Sequence, residues 1–502
     1  MAISLHLLSP AELEKFLHIQ ATLYEQEVDQ ARVRDLRDYY YGRHPTQLTD
    51  RQEEFLGKIL TESDFPFCHN IMRAVVDVLR ERLSVTGIVT EGDQDKSEGT
   101  EDPLATQVWQ WWQAANLPSE QTKLYRRILR DGKGYLVLGQ HEENRPTAIV
   151  NSAFSGIGPN DGESGGITFQ RHPDTDEPWL ATKYWWSAEW DGAKVVSVLH
   201  KTVYLDNAIW KFKRDMKARY GSQWVPAPDE GEAWPLPWLM PDGEPIGLPV
   251  IEFVNPGGSE IEQLVQLQNL LNKSWLDIIA VADVQGFGLN YVRYDDLLGA
   301  GAPTSQKDDP EGKNALKMRP GNILEIDAAE VGKLPAEDMA NLLSVPQSVI
   351  QAIAGSSRTP QYYLRAFGGA DVPSGESLKQ LENGLVARAQ ERQTMFGDEL
   401  QRMFKIWRRM HNAFGSGKVD AEIELSPVWA SCEIRNETYD AQVATQHKAL
   451  GVPDRTLWVE RLGYTPEQAD EFEQAASQRR AQELQQTIAA LSIAPPLNVT
   501  NA

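Results

Sequence analysis

RTPQYYLRAFGGADVPSGESLKQLENGLVARAQERQTMFGDELQRMFKIW, residues 358–407, changes its grammar part-way along, and that change decides the reading of the fold. From Gly355 to Gly375 glycine and proline recur among Tyr, Phe and Arg, so no regular element is expected there. From Ser374 onward Leu378, Leu381, Leu385, Ala389, Phe396, Leu400, Met403, Trp407 and Met410 advance in steps of three and four, with one gap of seven at Arg392. Such spacing predicts a helix that keeps one apolar face for about ten turns. Glu376 and Glu382 fall early in it and Lys405, Arg408 and Arg409 late, in the sense a helix dipole favours, and Gly384 and Gly397 are expected bends.

Upstream of this stretch, two further helices bracket an irregular insert. Ser259-Glu260-Ile261-Glu262 reads as a capping box, after which Ile261, Leu264, Val265, Leu271, Trp275, Ile278 and Ala282 trace a stripe. A second helix is expected from Pro335 to Ala354, kinked or broken by Pro346. Between them, residues 286–335 hold short strand-like runs and the charged loop KDDPEGK.

Nearer the N-terminus, Ser9-Pro10-Ala11-Glu12 marks a helix expected to run to about Tyr40. Residues 70–83 place Ile71, Val75, Val78, Leu79 and Arg82 on one face, and Val108, Trp109, Trp111 and Trp112 belong to another helix, as core. A helix over Pro118–Arg130 leads into strand-like runs that extend to about Val254, with a hairpin signal at Asp191-Gly192. The fold class expected from this order is α+β and mainly helical. Beyond Gly417 come a strand-like run, AEIELSPVW, and an Ala/Gln/Glu-rich helix from Pro466 to Leu491.

With 502 residues the chain is expected to hold two to four structural units. Its net charge of -23 argues against tight nucleic-acid binding, which rests on Lys and Arg neutralising phosphates. An acidic surface keeps a protein soluble, and acidic walls also let a polyanion slide. Cys68 and Cys432 form no C-x-x-C pair, and the nine His show no H-E-x-x-H spacing, so neither zinc nor any other cofactor is expected. The glycines near Gly369–Ser377 are wrongly spaced for a phosphate loop, with Glu376 where Lys should stand, and no G-x-S-x-G occurs. Asp295-Asp296 and Asp308-Asp309 are acid pairs of the kind an acid-rich chain carries by chance, so catalysis is not expected. A glycoside hydrolase, which would use the 15 Trp as sugar platforms, is the distant alternative. The opening residues lack a secretory pattern and no run of about 18 apolar residues occurs, so a reducing cytoplasm fits and no membrane contact is expected.

Six segments, in order, resemble the portal proteins of tailed bacteriophages, in particular the siphophage, SPP1-like group. They are YYYGRHP (39–45), NIMRAVVDVLRERLSVTGI (70–88), ILRDGKGYLVLG (128–139), the run opening LPVIEFVNPGG (248–272), the run containing RTPQYYLRAFGG (357–390) and the run opening SPVWASCEIRN (426–472). The resemblance implies a homododecameric ring with wing, stem, clip and crown regions at the capsid vertex. In this numbering it implies an N-terminal wing over 1–258, a first stem helix over 259–283, a clip over 284–335 and a second stem helix over 336–355. A tunnel loop over 356–373, a long wing helix over 374–415 and a crown with tail over 416–502 complete it.

The implied partners are further copies of the chain, the terminase large subunit, the head-tail adaptor, the major capsid and scaffolding proteins, and double-stranded DNA without sequence preference. The implied location is the portal vertex of the virion, after assembly in the host cytoplasm. Arg358, Tyr362, Tyr363, Arg365, Phe367, Gly368 and Gly369 would face the DNA channel, or else the loop is an ordinary connector with its aromatics tucked into the core. Asp295, Asp296, Lys307, Asp308, Asp309 and Lys313 in the clip would meet partner proteins. A ring or scaffold protein unrelated to phage is the other reading.

Overall fold

The computed structural model describes residues 9–27, 29–44, 68–90, 102–140, 145–156, 165–172, 174–190, 192–214, 224–287, 290–294, 323–326, 329–333, 339–364, 375–415, 417–433, 437–462, 464 and 466–493. The helices are α1 (Pro10–Glu27), α2 (Gln30–Tyr41), α3 (Met72–Arg80), α4 (Pro103–Ala114), α5 (Leu117–Asp131) and α6 (Val265–Phe287). They continue with α7 (Met339–Ser357), α8 (Gln361–Leu364), α9 (Gly375–Phe414), α10 (Glu437–Ala449), α11 (Asp454–Thr456) and α12 (Pro466–Ile493). The strands are β1 (Val85–Thr90), β2 (Lys133–Gln140), β3 (Pro146–Ser152), β4 (Gly166–Arg171), β5 (Pro178–Trp190), β6 (Val195–Tyr204) and β7 (Ala208–Arg214). After them come β8 (Trp224–Pro226), β9 (Leu236–Pro237), β10 (Val250–Val254), β11 (Asn290–Tyr294), β12 (Ile323–Ile326), β13 (Ala329–Lys333) and β14 (Leu425–Trp429). This mixture of helices and strands is α+β.

Two compact units form, each from separate stretches of chain: residues 1–81, 123–137 and 149–372 in the first, and 82–122, 138–148 and 373–502 in the second. The N-terminal 258 residues are therefore divided between them.

In the first unit, β5 and β6 pair antiparallel from Ala181↔Tyr204 to Trp190↔Val195, as the Asp191-Gly192 signal predicts. They sit in a sheet ordered β4-β5-β6-β7-β8, with β9 on β7. Leu180, Val203, Trp210 and Phe212 of this sheet are buried with Leu17 of α1. Removing side chains of that size from water contributes about 1.5–3 kcal/mol each. The Ser9 capping pattern holds in one direction, the Glu12 carboxylate accepting from Ser9 N at 2.9 Å. The predicted single helix to Tyr40 is corrected to two, because Asp29 accepts from Arg32 N at 3.0 Å and caps a new start at α2.

Helices α2 and α5 meet through a buried ionic cluster. Arg37 donates to Asp131 at 3.1 Å, and Arg130 donates to the same carboxylate at 2.6 and 2.9 Å. Nearby β10 pairs antiparallel with β2, where the buried Glu252 accepts from Lys133 at 3.1 Å, Tyr135 at 3.2 Å and Arg171 at 3.0 Å. The insert between α6 and α7 contains a three-stranded sheet in which β11 runs parallel to β12 and antiparallel to β13.

In the second unit, α9 runs unbroken for 40 residues. Leu385, Ala389, Phe396, Leu400, Met403, Trp407 and Met410 are buried along it, whereas Leu381 is 54% exposed. The gap at Arg392 is no gap in packing, since Arg392 is itself buried. Trp112 lies fully buried with its ring 6.3 Å from Phe404, so the tryptophan cluster is core. Strands β1 and β14 pair antiparallel, and β14 lies against α9. Gly397 is at that crossing, where a Cβ would stand 3.7 Å from Pro427 Cγ.

Candidate functional site

The segment that leads into α6 is bolted to the end of α5. Glu260 N donates to Leu129 O at 2.9 Å, Ser259 Oγ to Arg130 O at 2.5 Å, and Asn255 N to Gly132 O at 2.9 Å. These bonds satisfy carbonyls that a helix end leaves open. The capping box predicted at Ser259 is not formed. Ser259 Oγ accepts from Ile261 N at 3.3 Å while donating to Arg130 O, Glu262 pairs with Arg32, and a turn of 3-10 helix, Glu262–Leu264, precedes α6.

Beyond that turn, polar side chains fasten α6 to the chain before α3. Gln268 accepts from Ile71 N at 3.2 Å and donates to His69 O at 2.8 Å, and Asn272 accepts from His69 N at 3.0 Å. Tyr39 donates to Asn269 at 2.9 Å. Each amide here occupies what looks in sequence like a polar gap between apolar stripe positions, and only its burial reveals the role. Of the predicted stripe, Ile261, Leu264, Leu271 and Ile278 are buried and Ala282 is exposed.

Helix α7 packs against α6 and passes through Pro346 without breaking, so of the expected kink or break the break is ruled out. It also runs on to Ser357, and a short helix, α8, follows at Gln361–Leu364, so part of the glycine- and proline-rich stretch is regular after all. The physical reason lies at the junction. Thr359 N donates to Ala354 O at 3.1 Å and Arg358 N to Gly355 O at 3.3 Å, a Schellman closure that requires a left-handed residue at position 358. Arg358 supplies it with φ +49°, and its side chain is exposed.

Thr359, Pro360 and Leu364 are buried, and α8 rests against α3 and α7. Tyr362 and Tyr363 are half-buried, their ring centroids 4.3 Å apart. The structure thus brings Tyr362 and Tyr363 together in α8, with Arg358 exposed at the end of α7 just before them. Arg365, Phe367, Gly368 and Gly369 lie outside the described residues, as do Asp295, Asp296, Lys307, Asp308, Asp309 and Lys313.

Two constellations have the residue types of a nucleophilic centre. His44 Nε2 is 3.4 Å from Cys68 Sγ and 3.0 Å from Asn272 Nδ2, while His200 Nε2 is 2.7 Å from Ser187 Oγ and 3.3 Å from Glu189 Oε1. In each, both partners crowd one ring nitrogen, so no relay runs through the imidazole from an orienting group to a nucleophile. Burial pulls the His44 pKa down and pushes the Cys68 thiol up, opposite to what an activated thiolate needs. Among the described residues no group of three or more His, Cys, Asp or Glu is placed to hold a metal ion. No described helix is long and apolar enough to cross a membrane.

The family model described as "Phage portal protein, SPP1 Gp6-like" matches residues 20–484. The chain belongs to this family of phage portal proteins. Its family is structural, not enzymatic. This portal chain is 22% identical over 420 residues to the portal protein of Mycobacterium phage D29, covering 80% of its own length and 77% of that protein. Among solved structures it is similar to a chain in the neck of an empty gene transfer agent particle, with TM-score 0.38, 13% identity, and 84% and 96% of the two chains covered. It is also similar to an HK97 family phage portal protein from Corynebacterium diphtheriae, with TM-score 0.30, 12% identity, and 71% and 91% covered.

Proposed function

We propose that twelve copies of this chain close into a ring at one vertex of the phage capsid and form the channel through which double-stranded DNA is packaged and later ejected. The observation that carries this reading is membership of the portal family over residues 20–484. Assembled in the host cytoplasm among the major capsid and scaffolding proteins, the ring first holds the terminase large subunit and afterwards the head-tail adaptor. The insert between α6 and α7 acts as the clip for both, through Asp295, Asp296, Lys307, Asp308, Asp309 and Lys313. Helices α6 and α7 act as the stem, α9 as the long wing helix, and residues 416–502 as crown and tail.

The segment from Arg358 onward borders the channel. Arg358 is exposed and Tyr362 and Tyr363 half-exposed, which suits contact with phosphates and sugars but not base readout. The net charge of -23 keeps the ring from clamping the polyanion. ATP hydrolysis belongs to the terminase. Electron microscopy of the purified chain is expected to show twelve-fold rings with a central hole, and the purified chain is expected to hydrolyse no ATP. A monomer, a filament or robust intrinsic ATPase activity would overturn the proposal.

A further inference from the structure

Backbone groups fix the orientation of both side-chain amides that fasten α6. Gln268 accepts from Ile71 N at 3.2 Å and donates to His69 O at 2.8 Å, so its oxygen and nitrogen cannot be exchanged. Asn272 Oδ1 accepts from His69 N at 3.0 Å and from Gln268 Nε2 at 3.1 Å, which leaves its Nδ2 facing His44. That nitrogen stands 3.0 Å from His44 Nε2. An N–H cannot accept from an N–H, so Nε2 carries a lone pair, Nδ1 carries the proton and the ring is neutral. Cys68 Sγ, 3.4 Å from the same Nε2, presents a second donor to it. Water is kept from replacing a lost bond, since His44 is 1% exposed and its ring stacks on Tyr39 with centroids 4.0 Å apart.

We infer that this junction is a proton-sensitive latch: neutral His44 ties the end of α2 and the segment before α3 to α6, and a proton taken from solvent onto Nε2 sets N–H against N–H and drives Asn272 off. Asn272 is the shared partner of His44, His69 N and Gln268, so one protonation loosens all three contacts. The direction follows from burial, which pulls the His44 pKa down against the Asp38 carbonyl. A folded value below the ordinary one of about 6.5 means that the latch is whole above about pH 6.5 and weakens as pH falls. Two titratable groups face the ring: Cys68, whose thiol burial pushes up, and Tyr39, whose hydroxyl donates to Asn269 at 2.9 Å. Charged groups on the surrounding elements are engaged elsewhere, Arg32 with Glu262, Arg37 with Asp131, Arg73 with Asp77, Lys273 with Asp277, and Arg43 over the Tyr41 ring. His69 is the rival proton acceptor. Its ring lies 5.6 Å from Trp275, and burial pulls its pKa down as well.

Cys68 reports on the latch from inside it. The full-length chain carrying Cys432→Ser, which leaves one thiol, is treated with a dithiodipyridine reagent at falling pH. Each rate is divided by that of free cysteine at the same pH, which removes the change in thiolate fraction. If the closed junction refuses the proton, the open population grows as pH falls below about 6.5, by up to about 30-fold at about pH 5. The normalised rate at Cys68 is therefore expected to rise by at least about fivefold between about pH 7.5 and 5, and hydrogen exchange at His69 N and Ile71 N to quicken in step. His44→Gln, whose side-chain oxygen still accepts from Asn272 but takes no proton, is expected to stay flat. Asn272→Asp, whose carboxylate accepts from a protonated Nε2, is expected to stay closed over the same range. A flat normalised rate in the chain that keeps His44 overturns the inference, and a rise of equal size in His44→Gln overturns it in favour of His69. Should His44→Gln fail to fold, the Asn272→Asp arm decides alone, acid opening as large as in the parent chain again counting against the latch.

Discussion

Arg358 occupies a backbone conformation that glycine adopts freely and an arginine does not, with φ +49° at the closing position of α7. Arg358→Gly is expected to raise the unfolding free energy by about 0.5–1 kcal/mol in urea titrations, since it relieves the left-handed strain and removes an exposed side chain. Under the proposed function the same variant handles DNA less well, and a stabilised variant that packages normally would leave the arginine without a reason. His18 gives a pH-dependent counterpart. Its ring lies 4.4 Å from Phe212, and burial, with Lys201 second, pulls its pKa down to about 4. In the unfolded chain the value returns to about 6.5. A folded value below the unfolded one means that the unfolded state takes up the proton first. The contribution of His18 is therefore whole above about pH 6.5 and drains away as pH falls toward about 4. The stability difference between wild type and His18→Gln should accordingly shrink over that window by on the order of 2 kcal/mol, and a difference that is flat with pH would show that the ring stays solvated.

At the scale of elements, Gly397 separates two explanations of a glycine in a long helix. A bend needs the residue; a close crossing only tolerates it. A Cβ at Gly397 would lie 3.7 Å from Pro427 Cγ and 3.8 Å from Trp429 Nε1, which is ordinary contact. Gly397→Ala should therefore gain helix propensity of about 1 kcal/mol without a clash, read as a rise in thermal midpoint, and a fall would mean that the strand cannot accept the methyl. Elements with their own period were legible in sequence: α9 by its steps of three and four, and the β5–β6 hairpin by its turn. What sequence hid were the features decided by distant chain. Nothing in VTGIVT names LSPVW as its partner, yet Val85 pairs with Trp429. The continuation of α7 through Pro346 and the short α8 likewise depend on packing against α6 and α3. The candidate site was half legible for the same reason. Arg358, Tyr362 and Tyr363 stood out by composition, whereas the anchoring amides Gln268 and Asn272 look like surface residues until the backbone at His69 is placed against them.

For the whole molecule the decisive question is what covers the flanks of α7. Leu343 and Val345 are large apolar side chains left 42% and 45% exposed on opposite sides of a helix whose back is already buried. In the ring put forward under the proposed function, contacts are heterologous, so one flank of each copy would meet the other flank of the next and one repeated interface would cover both. Burying the pair is worth a few kcal/mol per interface by area, enough to matter when repeated around a ring. Leu343→Glu combined with Val345→Glu places like charges on both sides of every such contact, while in the isolated chain both positions face water. Each chain should thus keep its circular dichroism spectrum, with a change in unfolding free energy within about 0.5 kcal/mol per site, because exposed positions tolerate charge. Its assembly should fail: light scattering after size exclusion is expected to return the mass of one chain in place of a ring. Rings that persist in the double variant at low salt, where the repulsion is strongest, would show that the flanks of α7 do not meet between copies.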